Sequence, residues 1–166
     1  MEIKLRKWEM GDIDRICQGV PQVDSQYLRY DFPSPFTKKD ALVYIDEAEM
    51  VEAKGLGLYR AIVVDGVIIG NVSLNVDLQD TSCATIGYYI LKEYYGKGIC
   101  TKAVKDIIAE ALKKCKLKKI LAYINTKNVA SQRVLEKNGF KLFTTLENET
   151  IKDNEIVNVG LYLNEV

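Results

Sequence analysis

The sequence predicts a mixed α/β domain with about seven strands and about four helices. Three observations support this: an Asp-Gly turn between two apolar runs, a long segment with apolar residues at four-residue spacing, and short alternating strands near both ends. Apolar residues make up 48% of the chain and charged residues 28%, which is typical of a globular protein. Because no repeat or linker interrupts the 166 residues, we expect residues 1–166 to form one domain.

The first predicted elements are a strand and two helices. Ile3 and Leu5 alternate with charged residues, which predicts a strand, and a short helix follows near Asp12. Thr37 precedes a second helix, and Asp40 occupies the position that completes a capping box.

The remaining elements follow from turn residues and apolar spacing. Asp65-Gly66 joins strands at 58–64 and 67–76, and a fourth strand follows at 84–91. The long helix after residue 98 carries a stripe formed by Ile99, Ala103, Ile107 and Ala111. The order is completed by a strand at 120–124, a helix at 130–138 that Gly139 ends, and strands at 140–146 and 157–163.

The charge balance and the apolar runs exclude several classes of protein. Lys plus Arg and Asp plus Glu each total 23, so we expect no nucleic-acid or anionic-membrane partner. The apolar runs are too short to cross a bilayer, and no secretory signal is visible. Together with four scattered cysteines (Cys17, Cys83, Cys100 and Cys115), these features predict a cytoplasmic protein.

The absence of histidine restricts the chemistry that the chain can perform. It removes Ser-His-Asp and Cys-His nucleophile systems, His-ligated metals and the usual general base. The cysteines lack the paired spacing of a zinc site, so we expect no metal. Catalysis would have to use carboxylates, hydroxyls, backbone donors or the reactivity of the substrate itself.

A strand, a glycine turn and a helix start meet at Gly96-Lys97-Gly98. The start of a helix leaves backbone N–H groups unpaired, and glycines let that backbone approach a phosphate closely. The spacing fits neither a Walker loop nor the dinucleotide fingerprint. The turn therefore predicts either a phosphate site or a plain strand-to-helix turn.

At this point the chain resembles the GNAT superfamily, and within it the Rim-like branch of N-terminal protein acetyltransferases. Tyr94-Tyr95-Gly96-Lys97-Gly98-Ile99 is similar to the aromatic-Gly-Lys-Gly signature of that branch. Asn128-Val129-Ala130-Ser131, followed by Val134-Leu135-Glu136-Lys137-Asn138-Gly139-Phe140, is similar to its second signature. The early Leu5-Arg6 and the segment Tyr27-Leu28-Arg29-Tyr30 also fit, so the match covers nearly the whole chain.

The resemblance implies a GNAT fold, with a mostly antiparallel twisted sheet, and transfer of an acetyl group from acetyl-CoA to an amine. It implies that Ile90 offers backbone groups to the acetyl carbonyl and the pantetheine arm, that Asn128 contacts the pantetheine, and that Ser131 lies near the sulfur. The implied pyrophosphate donors are the backbone N–H groups of Tyr95, Gly96, Lys97, Gly98, Ile99, Cys100 and Thr101.

Structural interpretations of the same residues remain open. Asn128 could cap the following helix, a role that is compatible with ligand binding. Without the family context, Ser131 would be an exposed helix serine, and Lys97 would face solvent. Tyr88 and Tyr89 alternate across a strand, so one is expected to face the cleft and the other the core.

The chain departs from the family pattern in three features. The superfamily glycine motif falls on Tyr95, Gly98 and Cys100, so only its central glycine is kept. The tyrosine that many relatives use as an acid is replaced by Leu135, which leaves Ser131 or a water to assist the thiolate. Many relatives carry Glu where this chain has Thr85.

The missing base favours an acceptor amine of low pKa. An α-amine, with a pKa of about 7.7–8.0, is partly neutral already, whereas a lysine amine near 10.4 needs a real base. Asp31 or Glu9 could still act as a base through water.

The acceptor is expected to bind beside the loop at 27–36 and the helix after Thr37. The candidate contacts are Tyr27, Tyr30, Phe32, Phe36 and Tyr88. Acidic residues on the helix, Asp46, Glu47, Glu49 and Glu52, form either a solvated face or a cleft for a cationic acceptor.

Four functions compete at this stage. The leading hypothesis is acetylation of a protein or peptide N-terminus. The alternatives are acetylation of a polyamine or aminoglycoside, CoA binding without turnover, and a structural domain with a coincidental glycine turn. A homodimer remains open.

Overall fold

The computed structural model describes residues 1–23, 33–152 and 155–166. Within them the strands are β1 (Ile3–Arg6), β2 (Gly57–Val64), β3 (Val67–Val76), β4 (Cys83–Ile90), β5 (Lys119–Asn125), β6 (Lys141–Lys152) and β7 (Glu155–Glu165). The α-helices are α1 (Ile13–Gly19), α2 (Lys38–Ala53), α3 (Ile99–Lys114) and α4 (Val129–Lys137). The predicted mixed α/β order is confirmed.

The strands form one sheet in the order β1-β2-β3-β4-β5-β7-β6. Neighbouring strands are antiparallel except β4 and β5, which are parallel. That parallel pairing covers only Cys83–Thr85 against Lys119–Leu121, whereas β5 stays paired with β7 as far as Asn125. The two central strands therefore separate beyond Thr85 and leave an opening in the middle of the sheet.

The predicted hairpin turn has the geometry that its sequence requires. Asp65 and Gly66 both have positive φ, 48° and 84°, as in the type I′ turn that connects two-residue hairpins. It joins β2 to β3, whose register shifts once between Ile62 and Val63.

Two cores lie on opposite faces of the sheet. On one face, α1 and α2 cover a core that includes Trp8, Ile45 and Tyr59. On the other face, α3 and α4 cover a larger core. The α3 residues in this core include the predicted stripe, Ile99, Ala103, Ile107 and Ala111, each at most 1% exposed. The four-residue spacing thus faces the sheet as predicted.

A charge network centred on the buried Arg60 joins α2, β2 and α3. The Arg60 guanidinium, on β2, donates to both oxygens of Glu52 at 2.9 Å and of Glu110 at 2.6 and 3.1 Å. Lys114 adds contacts to the same two carboxylates. Hydrogen bonding from Arg60 lowers the pKa of Glu52 to about 2, so this carboxylate stays ionised.

Across the described ranges, no helix combines the length and apolar character needed to cross a membrane.

Candidate active site

The free edge of β4 lines the opening in the sheet. The amide of Leu91 donates to Ile69 and the amide of Asp77 donates to Cys83, so odd-numbered residues of β4 bond to β3. The main-chain groups of even-numbered residues therefore point toward β5, which has separated from β4 at this level. Within the described residues, the N–H and C=O of Ile90 have no hydrogen-bond partner on this side. Ile90 thus occupies the predicted place for a backbone donor.

The glycine turn after β4 opens directly into α3. Gly96 and Gly98 both have φ of 74°, a left-handed conformation that glycine adopts without strain. Gly98 is the N-cap of α3 and has no side chain to satisfy the first amides. A Cβ at either glycine would meet no atom within 4 Å, so the space in front of the turn is open among the described residues.

Six consecutive main-chain amides at this turn are available. The first helical bond of α3 runs from Lys102 to Gly98, and the amides of residues 96–101 form no hydrogen bond within the part of the chain that the structure describes. The amide of Tyr95, by contrast, donates to the carbonyl of Lys92 at 3.1 Å. The N–H of Tyr95 is thus used by the 3-10 turn at Lys92–Tyr94, and its predicted contact with the pyrophosphate stays a prediction.

The side chain of Lys97 is exposed and contacts the preceding 3-10 turn. Its ammonium donates to the carbonyl of Glu93 at 3.0 Å and lies 5.1 Å from the ring centre of Tyr94. The interpretation of Lys97 as a solvent-facing residue is the one that these contacts favour.

Asn128 and Ser131 form the start of α4. The side-chain oxygen of Asn128 accepts a hydrogen bond from the amide of Ser131 at 3.0 Å, which confirms the capping role. Asn128 is 8% exposed, and its amide nitrogen, which makes no hydrogen bond to any described residue, is among the atoms that are not fully buried. The two predicted roles are compatible, because the oxygen caps the helix while the nitrogen can serve a ligand.

Tyr88 and Tyr89 lie on opposite faces of the sheet, as predicted. Tyr88 pairs with Val72 on the α3 and α4 face, where its hydroxyl donates to the carbonyl of Ser131 at 3.0 Å. Tyr89 pairs with Asn71 on the α1 and α2 face. The prediction that Tyr88 contacts the acceptor is not supported by this position, because its hydroxyl is engaged on the side of α4. Tyr89 is the residue of the pair that faces the predicted acceptor side.

A small cavity lies beside Tyr89, between α1 and β3. It is lined by Trp8, Arg15 and Gly70 among others. Asn71, next to Gly70 in the chain, is buried and accepts hydrogen bonds from the indole of Trp8 at 3.1 Å and from the hydroxyl of Tyr44 at 2.7 Å. These hydrogen bonds join Trp8, Tyr44 and Asn71 on the face of the sheet that α1 and α2 cover.

Several predicted acceptor residues cannot be placed. Tyr27, Tyr30, Asp31 and Phe32 lie outside the described residues. Phe36 packs against the core that α1 and α2 cover.

The other candidates for the general base, and for a cleft that binds a cationic acceptor, lie within the described residues. Thr85 is exposed on the same face as Tyr89, whereas Glu9 begins the turn after the edge strand β1. Asp46, Glu47 and Glu49 are exposed on α2, as the solvated-face interpretation expects. Glu52 instead belongs to the Arg60 network.

Leu135 is fully buried in the core, so its position supplies no acid. Ser131 is half-buried in the first turn of α4. Among the described residues, no group of three or more His, Cys, Asp or Glu side chains could hold a metal ion.

Sequence reasoning missed two contacts that join the pieces of the site. One is the hydrogen bond from Tyr88 to Ser131. The other is the side-chain amide of Asn138, which donates to the carbonyl of Thr101 at 3.2 Å and links the end of α4 to the first turn of α3. A tyrosine or an asparagine at these positions carries no sequence signal of its distant partner.

Comparison with known proteins places this geometry in a family. A family model for the acetyltransferase (GNAT) domain matches residues 2–141. The chain is 33% identical over 167 residues to "Putative ribosomal N-acetyltransferase YdaF" of Bacillus subtilis (strain 168), covering 98% of this chain and 84% of that protein. It is 36% identical over 104 residues to "Probable N-acetyltransferase YjcK" of the same organism, covering 62% of this chain and 56% of YjcK.

A solved structure shows the same fold at lower identity. RimL, a ribosomal L7/L12 alpha-N-protein acetyltransferase in complex with coenzyme A, has a TM-score of 0.88 and 17% identity, with 99% of this chain and 94% of RimL covered. The resemblance to the Rim-like branch and the predicted GNAT fold are thus confirmed. The chain belongs to the GNAT family of N-acetyltransferases.

Proposed function

We propose that the chain is an acetyl-CoA-dependent N-acetyltransferase that modifies the α-amine of a protein or peptide N-terminus. The observation that carries this proposal is the row of unpaired amides at residues 96–101, next to the free edge of β4. RimL, which shares the fold, is named for α-amine acetylation and was solved with coenzyme A. We also propose that residues 1–166 act as one domain, because β1 and β7 belong to the same sheet.

The residues present fit coenzyme A. The amides of residues 96–101 would bind its diphosphate, because a helix start carries partial positive charge and the glycines leave room for the phosphates. Asn128 would bind the pantetheine arm through its unpaired amide nitrogen. The opening between β4 and β5 would hold the thioester near Ile90.

Acetyl transfer needs a donor for the developing oxyanion and a proton for the departing thiolate. The amide of Ile90 points into the opening and would supply the first, a contribution of about 3–4 kcal/mol by analogy with other oxyanion donors. Ser131, half-buried at the start of α4, would hydrogen-bond the thiolate directly or through water. Leu135 cannot take this role because it is an apolar core residue.

The acceptor class follows from what the site lacks. The chain contains no histidine, and the β4 residue that faces the acceptor side at the usual base position is Thr85. At pH 7, roughly a tenth to a sixth of an α-amine is neutral, against well under 1% of a lysine amine. An α-amine can therefore attack the thioester without a strong base.

A pair of matched peptides tests this acceptor class. One peptide has a free N-terminus and an acetylated lysine, and the other has an acetylated N-terminus and a free lysine. Thiol release from acetyl-CoA at pH 7.5 should be at least about tenfold faster with the first, because more of its amine is neutral. Faster release with the lysine peptide would contradict the proposal.

The same assay separates the competing functions. Spermidine and an aminoglycoside serve as small-amine acceptors, and faster release with either would favour a small-molecule enzyme. Binding of acetyl-CoA in a titration, without thiol release from any amine, would identify a non-catalytic CoA-binding module. Absence of binding would overturn the assignment of the glycine turn.

A further inference from the structure

The start of α4 is tied to β4 across the opening by one side chain. Among the described residues, a single hydrogen bond joins the two elements, from the hydroxyl of Tyr88 to the carbonyl of Ser131 at 3.0 Å. The two residues are 43 positions apart in the chain. Because β4 and β5 are unpaired at this level, the sheet itself does not set the distance between β4 and α4.

Tyr88 is a firm anchor for this bond. It lies opposite Val72 in the centre of the sheet, and its ring packs against the core on the α3 and α4 face. Burial raises the pKa of the Tyr88 hydroxyl, so the group stays protonated and remains a donor through the working pH range.

Ser131 is held at both of its main-chain groups. Its amide donates to the side-chain oxygen of Asn128 at 3.0 Å, and its carbonyl accepts from Tyr88. With its backbone fixed on both sides, the Ser131 hydroxyl can reach only a narrow range of positions, set by its rotamers. Its distance from the free edge of β4 then depends on the Tyr88 contact.

We propose that Tyr88 is a positioning residue for acetyl transfer, which holds the Ser131 hydroxyl at a fixed place across the opening from Ile90. This inference rests on the proposed role of Ser131 beside the thiolate. Tyr88 does not touch the reacting atoms in this account. It acts through Ser131, and a small displacement of a reacting group is known to slow chemistry strongly.

A double-mutant cycle tests the proposal. Tyr88→Phe removes the hydroxyl and keeps the ring, and Ser131→Ala removes the hydroxyl that Tyr88 is said to position. Each single variant should lower kcat for thiol release by about tenfold, with KM for acetyl-CoA changed by less than about twofold. In the Ser131→Ala background, Tyr88→Phe should lower kcat further by less than about twofold, because the group it positions is already gone.

A matched tyrosine provides the control. The hydroxyl of Tyr59, on β2, also donates a part-buried hydrogen bond, to the side chain of Asn75 at 2.6 Å. Tyr59→Phe should lower the melting temperature about as much as Tyr88→Phe does, yet keep kcat within about twofold of wild type.

Two results would overturn the positioning role. One is an equal loss of kcat from Tyr88→Phe in both backgrounds, which would indicate a general structural effect. The other is an unchanged kcat in Tyr88→Phe alone. Both results presuppose an active wild type, so a wild-type chain that releases no thiol with any amine would instead refute the proposed function.

Discussion

The starts of α2 and α3 differ in how the first main-chain amides of the helix are bonded. Both helices have 16 residues, and both leave their first amides without helical partners. At α2, the Asp40 amide donates to the Thr37 hydroxyl at 3.4 Å in a capping box, and the Thr37 amide and hydroxyl both donate to the Asp40 carboxylate. At α3, Gly98 offers no side chain, and the amides stay unpaired within the described residues.

The capped start of α2 serves folding stability, whereas the uncapped start of α3 is proposed to serve ligand binding. A capped start contributes to the free energy of folding, whereas an open start forgoes that contribution and keeps donors free for a ligand. The start of α4 combines capping with a donor for a ligand, because the oxygen of Asn128 caps the helix and its nitrogen has no described partner. Substitutions at these starts should therefore affect different measurements.

The largest effect is expected from a negatively charged substitution at the start of α3, where the main-chain amides are unpaired. Gly98→Glu puts a carboxylate beside the proposed diphosphate site, so affinity for CoA should fall by at least about 100-fold. Isothermal titration with CoA measures this loss.

Gly55→Glu is the matched control for that variant. Gly55 has φ of 68°, is exposed, and like Gly98 would place a Cβ with no described atom within 4 Å. Both variants should carry a similar strain of about 1–2 kcal/mol for a left-handed non-glycine residue. Equal CoA affinity in the two variants would show that the start of α3 is not the diphosphate site.

The second effect is expected at the C-terminal end of α2, where Glu52 forms ion pairs with Arg60 and Lys114. The depressed pKa of Glu52, about 2 against 4.5, implies stabilisation that is present above pH 4.5 and lost as the pH falls toward 2. Glu52→Gln should therefore lower the free energy of unfolding by about 3 kcal/mol at pH 7 and by about half as much at pH 3.

Urea unfolding at the two pH values measures that change, and Glu49→Gln, at an exposed position on the same helix, is the control. A deficit of the same size at pH 7 and pH 3 would rule out the pairing with Arg60 as the cause. CoA affinity at pH 7 should be unchanged in both variants, because neither residue lies at an open helix start.

The smallest effect is expected at the capped start. Thr37→Ala removes the cap of α2 and should cost about 1 kcal/mol of stability, which corresponds to a fall in melting temperature of about 2–4 °C. Thr37→Ser keeps a capping hydroxyl and should recover most of the loss. If Thr37→Ala changed CoA affinity without changing the melting temperature, the start of α2 would serve binding rather than stability, which would contradict the comparison with α3.

Local chemistry in the sequence was enough to predict most of the fold. Asp65-Gly66 adopts the positive φ values of its turn type, and Thr37 with Asp40 forms the predicted box. The apolar stripe of α3 is buried as its spacing requires. Each of these features depends on neighbours within a few residues, which a single sequence displays directly.

The site was less predictable because it depends on register and on distant partners. Alternation placed Tyr88 and Tyr89 on opposite faces, but only the packed structure shows which of them faces α4. The loss of the Tyr95 amide to a 3-10 turn is equally invisible in the motif. The early end of the pairing between β4 and β5, which creates the opening, has no signature in either strand alone.

The central claim is that the amides of residues 96–101 bind the diphosphate of coenzyme A, and an amide-resolved NMR titration tests it most directly. On addition of CoA, the backbone amide signals of residues 96–101 should shift more than those of any other helix start, while the amides of the capped first turn of α2 stay in place. Saturable binding of CoA that leaves the signals of residues 96–101 unmoved would contradict the account.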